Sequence, residues 1–435
     1  MSTAADVWPA PPADRPIHAT VQIPGSKSQT NRALVLAALA TSPTHVHRPL
    51  RARDTELMAD ALRALGAGIE PDHTSGPDTD EPGWAVTPGP LVGHVSVRCG
   101  LAGTVMRFVP PLAALADGPV TFDGDPQARE RPIGPLLDAL RALDVGVTTT
   151  GRDALPFTIH GTGAVGGGRV SIDARGSSQF VSALLLAGCA FEAGLQLSAR
   201  GAVPSQPHID MTLTMLRAAG VTVHSLSDHA WRVEPGRPRG GQVRVAPDLS
   251  NAAPFLAAAL VTAGTVRIPH WASATSQPAR QILDVFEALG ASARLDQDAL
   301  VLTGGGRLPG VDLDLRDVSE LVATVAVVAA VADGPTTIRG VAHVRGHETD
   351  RLAALATEIN GLGGQVEQTD DGLRIHPRPL HGGTFHTYAD HRLATAGAIL
   401  GLVVPGVGIE NVATTSKTMP NFTARWSAMV AESAA

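Results

Sequence analysis

The chain is 435 residues long, 44% hydrophobic and 17% charged, with 34 Lys and Arg against 41 Asp and Glu for a formal charge of −7. That length is more than one ordinary core needs and favours two or three globular domains. The acidic balance, without any Lys/Arg run, excludes a basic nucleic-acid surface, and 3% aromatic content with a single Tyr leaves no platform for stacking bases.

In chain order, the opening MSTAADVWPAPPADRP lacks the charged start and apolar centre of a signal peptide, and the strand-like HATVQIPG follows. A polar segment then runs into a small, apolar helix, SKSQTNRALVLAALA. The same pattern returns as AGTVMRFVPPLAALA, SSQFVSALLLAGCA, SNAAPFLAAALV, SELVATVAVVAAV and ADHRLATAGAILGLV. The starts fall at Ser26, Ala102, Ser177, Ser250, Ser319 and Ala389, intervals of 76, 75, 73, 69 and 70 residues. A fixed period of this size marks a repeated supersecondary unit. These helices are apolar nearly all round, which predicts a central position.

A second, amphipathic helix follows each first one. Ile133, Leu136, Leu137 and Leu140 are spaced i, i+3, i+4, i+7, and Ile282, Val285, Phe286 and Leu289 repeat the spacing. The endings ALRALGAGIE, MLRAAGVTV, VFEALGASARL and INGLGGQVE place Gly near the helix C-terminus. Strands such as VTFDG, TVRIP and TTIRG lie between the helices, and runs such as VGVTTT and FTIHG close the unit. The order is β-α-β-α-β-β. The sixth unit ends after SKTMPNFTARWSAMV without its closing pair of strands, so the first 25 residues are predicted to pack with the C-terminal half. Two three-unit domains, residues 26–245 and residues 1–25 plus 246–435, with a cleft between them, are the expected organisation.

The polar openings of these helices carry the chemistry. Lys27, Ser28 and Arg32, then Gly103, Thr104 and Arg107, then Ser177, Ser178 and Gln179, then Glu320, then Asp390, His391 and Arg392 open the first helices. Glu130 and Arg131, Ser205, His347, Glu348 and Arg351, and Lys417 are expected to open the second ones. The helix dipole disfavours cations at this end by roughly 0.3 to 1 kcal/mol each, so their gathering there points to a bound anion. Capping alone explains Ser26 and Ser177, and Glu348 with Arg351 is also an ordinary i, i+3 helix pair. Capping does not explain Lys and Arg at equivalent places in several repeats.

Other signals carry less. Gly161, Gly163 and Gly166 fit G-x-G-x-x-G but lead into the strand-like GGGRVSIDA, where a dinucleotide site needs a helix. His376, His381, His386 and His391 recur every five residues, which is neither a helix face nor a zinc spacing. No metal or cofactor site is expected. Cys99 and Cys189 sit in apolar contexts and suggest a reducing, cytoplasmic compartment. The longest apolar run, Leu321 to Ala332, is shorter than the roughly 20 residues that span a bilayer.

PGSKSQTNRALVLAALA, AGTVMRF, ERPIGPLLDALR, GSSQFVSALL, HETDRL and DHRLA together resemble the EPSP synthase (3-phosphoshikimate 1-carboxyvinyltransferase) family, from about Ile17 to Phe422. The resemblance implies an α/β fold of two domains, each three βαβαββ units arranged as an inside-out α/β barrel. It also implies transfer of the enolpyruvyl group from phosphoenolpyruvate to the 5-hydroxyl of shikimate 3-phosphate, in the chorismate branch of aromatic amino-acid synthesis, by a monomer and without a metal. By position, Ser177, Ser178 and Ser205 would hold the shikimate phosphate, and Lys27, Ser28, Arg32, Gln179, Glu320 and His347 the ring. Lys27, Gly103, Arg131, Arg351, Arg392 and Lys417 would hold phosphoenolpyruvate. Glu320 is the candidate base, and Glu348, with Lys27 and His391, the candidate for proton traffic at the methylene carbon. Inhibition by glyphosate at the phosphoenolpyruvate site is part of the same expectation.

The chain departs from the usual family residues at Glu320 (often Asp), His347 (often Lys), His208 (often Tyr) and Leu101 (often Asn). A sister enzyme, UDP-N-acetylglucosamine enolpyruvyltransferase, uses the same donor but carries a loop cysteine just before the arginine equivalent to Arg131. The stretch Gly124 to Arg131 has none. A non-catalytic repeat scaffold is the alternative of another class, and gives no reason for Lys27, Arg131, Glu320, Glu348 and Lys417 to occur together.

Overall fold

The computed structural model describes residues 6–73, 82–271 and 276–433. Gly25–Val245 forms one compact unit, and Met1–Pro24 with Ala246–Ala435 the other. The first unit carries helices α1 (Lys27–Leu39), α2 (Arg53–Ala64), α3 (Gly103–Ala113), α4 (Gly134–Arg141), α5 (Ser178–Gly188) and α6 (Gln206–Ala218). The second carries α7 (Leu249–Val261), α8 (Ala279–Ala288), α9 (Val322–Ala330), α10 (Arg351–Gly361), α11 (His391–Val403) and α12 (Phe422–Glu432). Among the described residues the strands form six separate sheets, five of four strands and one of three. The barrel is therefore inside-out in the sense of helices within and sheets without, and no sheet closes on itself.

The apolar first helices are central. In one unit α1, α3 and α5 pack against one another, and in the other α7, α9 and α11 do. All eleven residues of α3 and all nine of α9 are buried. Helices apolar on every face lose least when every face is covered. The second helices are amphipathic and face the core with one stripe; in α8 only Ile282, Val285 and Phe286 are buried.

Each four-stranded sheet joins two parallel strands to an antiparallel hairpin, and in three of them the parallel strands flank one central helix in the chain. Val95–Arg98 runs parallel to Asp117–Asp123, which pairs antiparallel with Phe157–Thr162 and through it with Gly146–Thr149. Two repeats are completed from a distance. The opening strand of the first is Gly241–Arg244, parallel to Thr44–His47. The opening strand of the fourth is His18–Thr20, parallel to Thr265–Ile268. The sixth sheet has one closing strand where a pair was expected: Val7–Pro9 lies antiparallel to Val407–Glu410. An aromatic cluster holds that closure, with Trp8 edge-on to Phe422 and both Phe422 and Trp426 against Phe255 of α7.

Candidate active site

In the unit of Gly25–Val245 the openings of α1, α3, α5 and α6 carry the predicted residues. Ser26 caps α1 by accepting from the Gln29 N–H, which leaves Lys27 in the first turn, 3.5 Å from the buried Asp54 carboxylate. Arg32, one turn on, is drawn inward and is 1% exposed. Its guanidinium donates to Thr212 Oγ1 at 2.7 Å, Ser28 O at 3.0 Å, Ser182 Oγ at 3.3 Å and His208 O at 3.0 Å, and burial pulls it down to about 9. The unusual His208 thus acts here through its main chain.

Gly103 opens α3 between two guanidinium groups. Arg107 donates to Gly103 O and Gln179 Oε1 from one nitrogen and to Pro132 O from the other. Arg131 donates to Leu101 O at 3.2 Å, while its buried Nε has no hydrogen-bond partner among the described residues. Arg131 does not open α4 as expected. It ends the 3₁₀ turn Pro126–Glu130, three residues before the helix.

Ser177 caps α5, accepting from the Gln179 N–H at 3.2 Å, and Ser178 is buried in the first turn. Ser205 caps α6 with φ 53° and ψ 50° and without a side-chain capping bond. A serine in the left-handed region costs roughly 1–2 kcal/mol, a kind of strain found at ligand clamps. A helix N-terminus presents main-chain N–H groups, which favour anions.

The other unit holds a cationic cluster around two carboxylates. Arg351, 3% exposed, makes a fork to Asp390 at 2.7 and 3.2 Å and donates to Glu348 Oε2 at 2.9 Å. Its NH1 also meets His347 Nδ1 at 3.1 Å. An arginine only donates, so His347 accepts with Nδ1 and carries its proton on Nε2. Burial alone would lower Arg351, but Asp390 and Glu348 outweigh it and hold the group higher than usual. Lys417 Nζ donates to Glu348 Oε1 at 2.5 Å, so this carboxylate, 8% exposed, lies between two cations.

Asp390 also caps α11 through the Arg392 N–H at 2.8 Å and lies 3.8 Å from His391 Nδ1. Arg392 donates to Ser250 O and Oγ, both at 2.6 Å; burial lowers it, with Asp248 pulling the other way. Glu320 sits half-buried in the 3₁₀ turn Ser319–Leu321 ahead of α9. Lys417, like Arg131, ends a 3₁₀ turn, Val412–Lys417, and does not open its helix.

The sequence reading missed several members. His343 bonds Ser319 Oγ at 2.9 Å and meets the His347 ring edge-on at 5.8 Å. Ser250 and Asp248 support Arg392. Only the HVRGH spacing hinted at His343, and a 3₁₀ turn was needed to fold it back. Of the four histidines spaced by five, His376 lies on the strand Leu373–His376, His386 pairs with Glu358 and His391 opens α11. Among the described residues, no three His, Cys, Asp or Glu side chains converge as a metal cluster, and no helix is long and apolar enough to cross a membrane.

The family model described as EPSP synthase (3-phosphoshikimate 1-carboxyvinyltransferase) matches residues 12–426. A Kocuria rhizophila protein named 3-phosphoshikimate 1-carboxyvinyltransferase is 55% identical over 432 residues, covering 98% of this chain and 97% of its own. Among solved structures, an EPSP synthase from Acinetobacter baumannii has a TM-score of 0.78 at 23% identity, covering 97% of each chain. The enolpyruvyl transferase NikO from Streptomyces tendae has the same TM-score at 18% identity, covering 98% of each chain. At such identities the structures speak for the fold, which is the one expected from the six repeats. From the length and identity of the sequence match, the chain belongs to the EPSP synthase family.

Proposed function

We propose that this enzyme transfers the enolpyruvyl group of phosphoenolpyruvate to the 5-hydroxyl of shikimate 3-phosphate and releases phosphate. The observation that carries the reading is the binding of Arg351 and Lys417 to Glu348 and Asp390, with the Arg392 guanidinium near enough to feel the Asp390 and Arg351 charges, in a chain of this family. Phosphoenolpyruvate places a carboxylate and a phosphate on a three-carbon frame, and charge-assisted bonds to buried Arg and Lys offset the cost of desolvating it.

In this reading Ser177, Ser178 and Ser205 take the shikimate phosphate, and Ser28, Arg32, Gln179, Glu320 and His347 the ring. Lys27, Gly103, Arg131, Arg351, Arg392 and Lys417 take phosphoenolpyruvate. The reaction is an addition followed by an elimination. The 5-hydroxyl oxygen bonds C2 of phosphoenolpyruvate while C3 gains a proton, and the C2–phosphate bond then breaks as C3 gives a proton back. Glu320 removes the hydroxyl proton. Glu348 handles the proton at C3, with Lys27 and His391 in support. Lys417 and Arg351 flank the Glu348 carboxylate, so its proton exchange with C3 takes place beside the charges that bind the substrate. The thiols of Cys99 and Cys189 are free, buried and pushed up to about 12 by that burial. They suit a reducing compartment, and we place the reaction in the cytoplasm of the cell, carried out by a monomer.

Ligand-dependent melting tests the acceptor. Shikimate 3-phosphate at 100 times its dissociation constant should stabilise the protein by about 2.7 kcal/mol, with UDP-N-acetylglucosamine inert. Stabilisation by the sugar nucleotide and not by the shikimate would overturn the assignment in favour of the sister enzyme. Stabilisation by neither would favour a scaffold.

A further inference from the structure

Arg351 is aligned by Asp390, and a second group of residues holds Asp390. Glu358 lies on α10 seven residues beyond Arg351, two turns along the same face. Its carboxylate, 5% exposed, takes three contacts from one loop. Tyr388 donates its hydroxyl to Oε1 at 2.6 Å. The His386 main-chain N–H donates to Oε2 at 2.8 Å, and His386 Nδ1 meets the same oxygen at 3.0 Å. The Tyr388 hydroxyl is pushed up to about 12, first by burial and then by the Glu358 carboxylate, so it stays a donor.

The loop so held is strained. Tyr388 has φ 52° and Ala389 φ 57°, consecutive residues with side chains in the left-handed region. Such conformations persist only where the surroundings over-determine them. Here the Asp390 N–H donates to Thr387 O at 2.8 Å and Thr414 donates to Ala389 O at 2.8 Å. Immediately after the strained pair comes Asp390, fully buried, with both oxygens on Arg351. If the anchor is lost, Tyr388 and Ala389 can relax, and Asp390 moves with them.

We propose that Glu358, His386 and Tyr388 are positioning residues, which hold the turn at 387–390 so that Asp390 presents the Arg351 guanidinium to phosphoenolpyruvate. The proposal rests on the functional reading above for its substrate. Its test uses the full chain with Tyr388→Phe, which removes one bond at a side chain that is 43% exposed, and Glu358→Ala, which removes all three. Tyr388→Phe should raise KM for phosphoenolpyruvate roughly tenfold, the weight of one hydrogen bond to a charged group. KM for shikimate 3-phosphate should stay as in the parent, and Glu358→Ala should act in the same direction and more strongly. Amide hydrogen exchange over residues 386–392 should quicken in both variants. An unchanged KM for phosphoenolpyruvate with unchanged exchange in Tyr388→Phe overturns the proposal. So does an equal rise in both KM values with a lowered melting temperature, which is the mark of a merely structural contact. Should the parent release no phosphate at all, the functional reading fails by itself, and the exchange of 386–392 alone decides whether the anchor holds the turn.

Discussion

Gly103→Ala adds one methyl group between two arginine side chains. A Cβ built there would lie 2.7 Å from Arg107 NH1 and 2.9 Å from each terminal nitrogen of Arg131. Ordinary contact needs shifts on the order of 0.5 Å, and the two arginines do not yield equally. Arg107 is tied to Gly103 O, Gln179 and Pro132 O, while the bond of Arg131 is to Leu101 O. Arg131 therefore moves first, away from the place where it is proposed to meet phosphoenolpyruvate. Because the atoms met are the ends of flexible side chains, stability should change by less than about 1 kcal/mol. Misplacing one charge-assisted bond to phosphoenolpyruvate costs about 1.5–3 kcal/mol, a rise in KM of roughly ten- to a hundredfold. Glyphosate, which the family binds at the same place, should lose at least as much affinity. Steady-state phosphate release against both ligands reads the two effects. A folded variant with unchanged KM for phosphoenolpyruvate and unchanged inhibition would refute the reasoning.

Two further changes separate the roles of the second cluster. Glu348→Gln keeps the shape but removes the charge between Lys417 and Arg351; turnover should fall by at least about a hundredfold while shikimate 3-phosphate binding by calorimetry stays nearly intact, and equal loss of both would remove its part in proton transfer. Burial holds the His343 imidazole below its ordinary value, with Glu320 pulling the other way. The folded protein therefore protonates this group less readily than the unfolded chain does. The stability linked to it is complete above about pH 6.5 and is lost as the pH falls through the lower folded value. The drop in melting temperature between about pH 7.5 and 5.5 should be smaller in His343→Asn, and an equal drop would contradict this.

The central helices were legible because α9 is apolar on every face and α3 nearly so, with Arg107 its one charge, a pattern with few other solutions. The cations were legible because Lys27, Arg107 and Arg392 recur at a place where the dipole disfavours them. The 3₁₀ turns were not. Arg131 and Lys417 each end such a turn, and the sequence reading put both at a helix start, since nothing in the local pattern separates a short 3₁₀ turn from the first turn of a helix. Long-range closure was only half legible. The missing strands of the sixth repeat showed as a deficit at the C-terminus, but the parallel partner of Thr44–His47 lies at Gly241–Arg244, and period alone does not encode that pairing. His343 and the Glu358 anchor escaped because their partners meet through turns and left-handed residues, which residue spacing does not announce.

The most direct measurement of the central claim is phosphate release after mixing the purified protein with phosphoenolpyruvate, with and without shikimate 3-phosphate. The account predicts release only when both are present, with UDP-N-acetylglucosamine inactive as acceptor. Folded protein that releases no phosphate with either acceptor would contradict it, and would mean that the changes at His208, Glu320 and His347 have turned the site to another ligand.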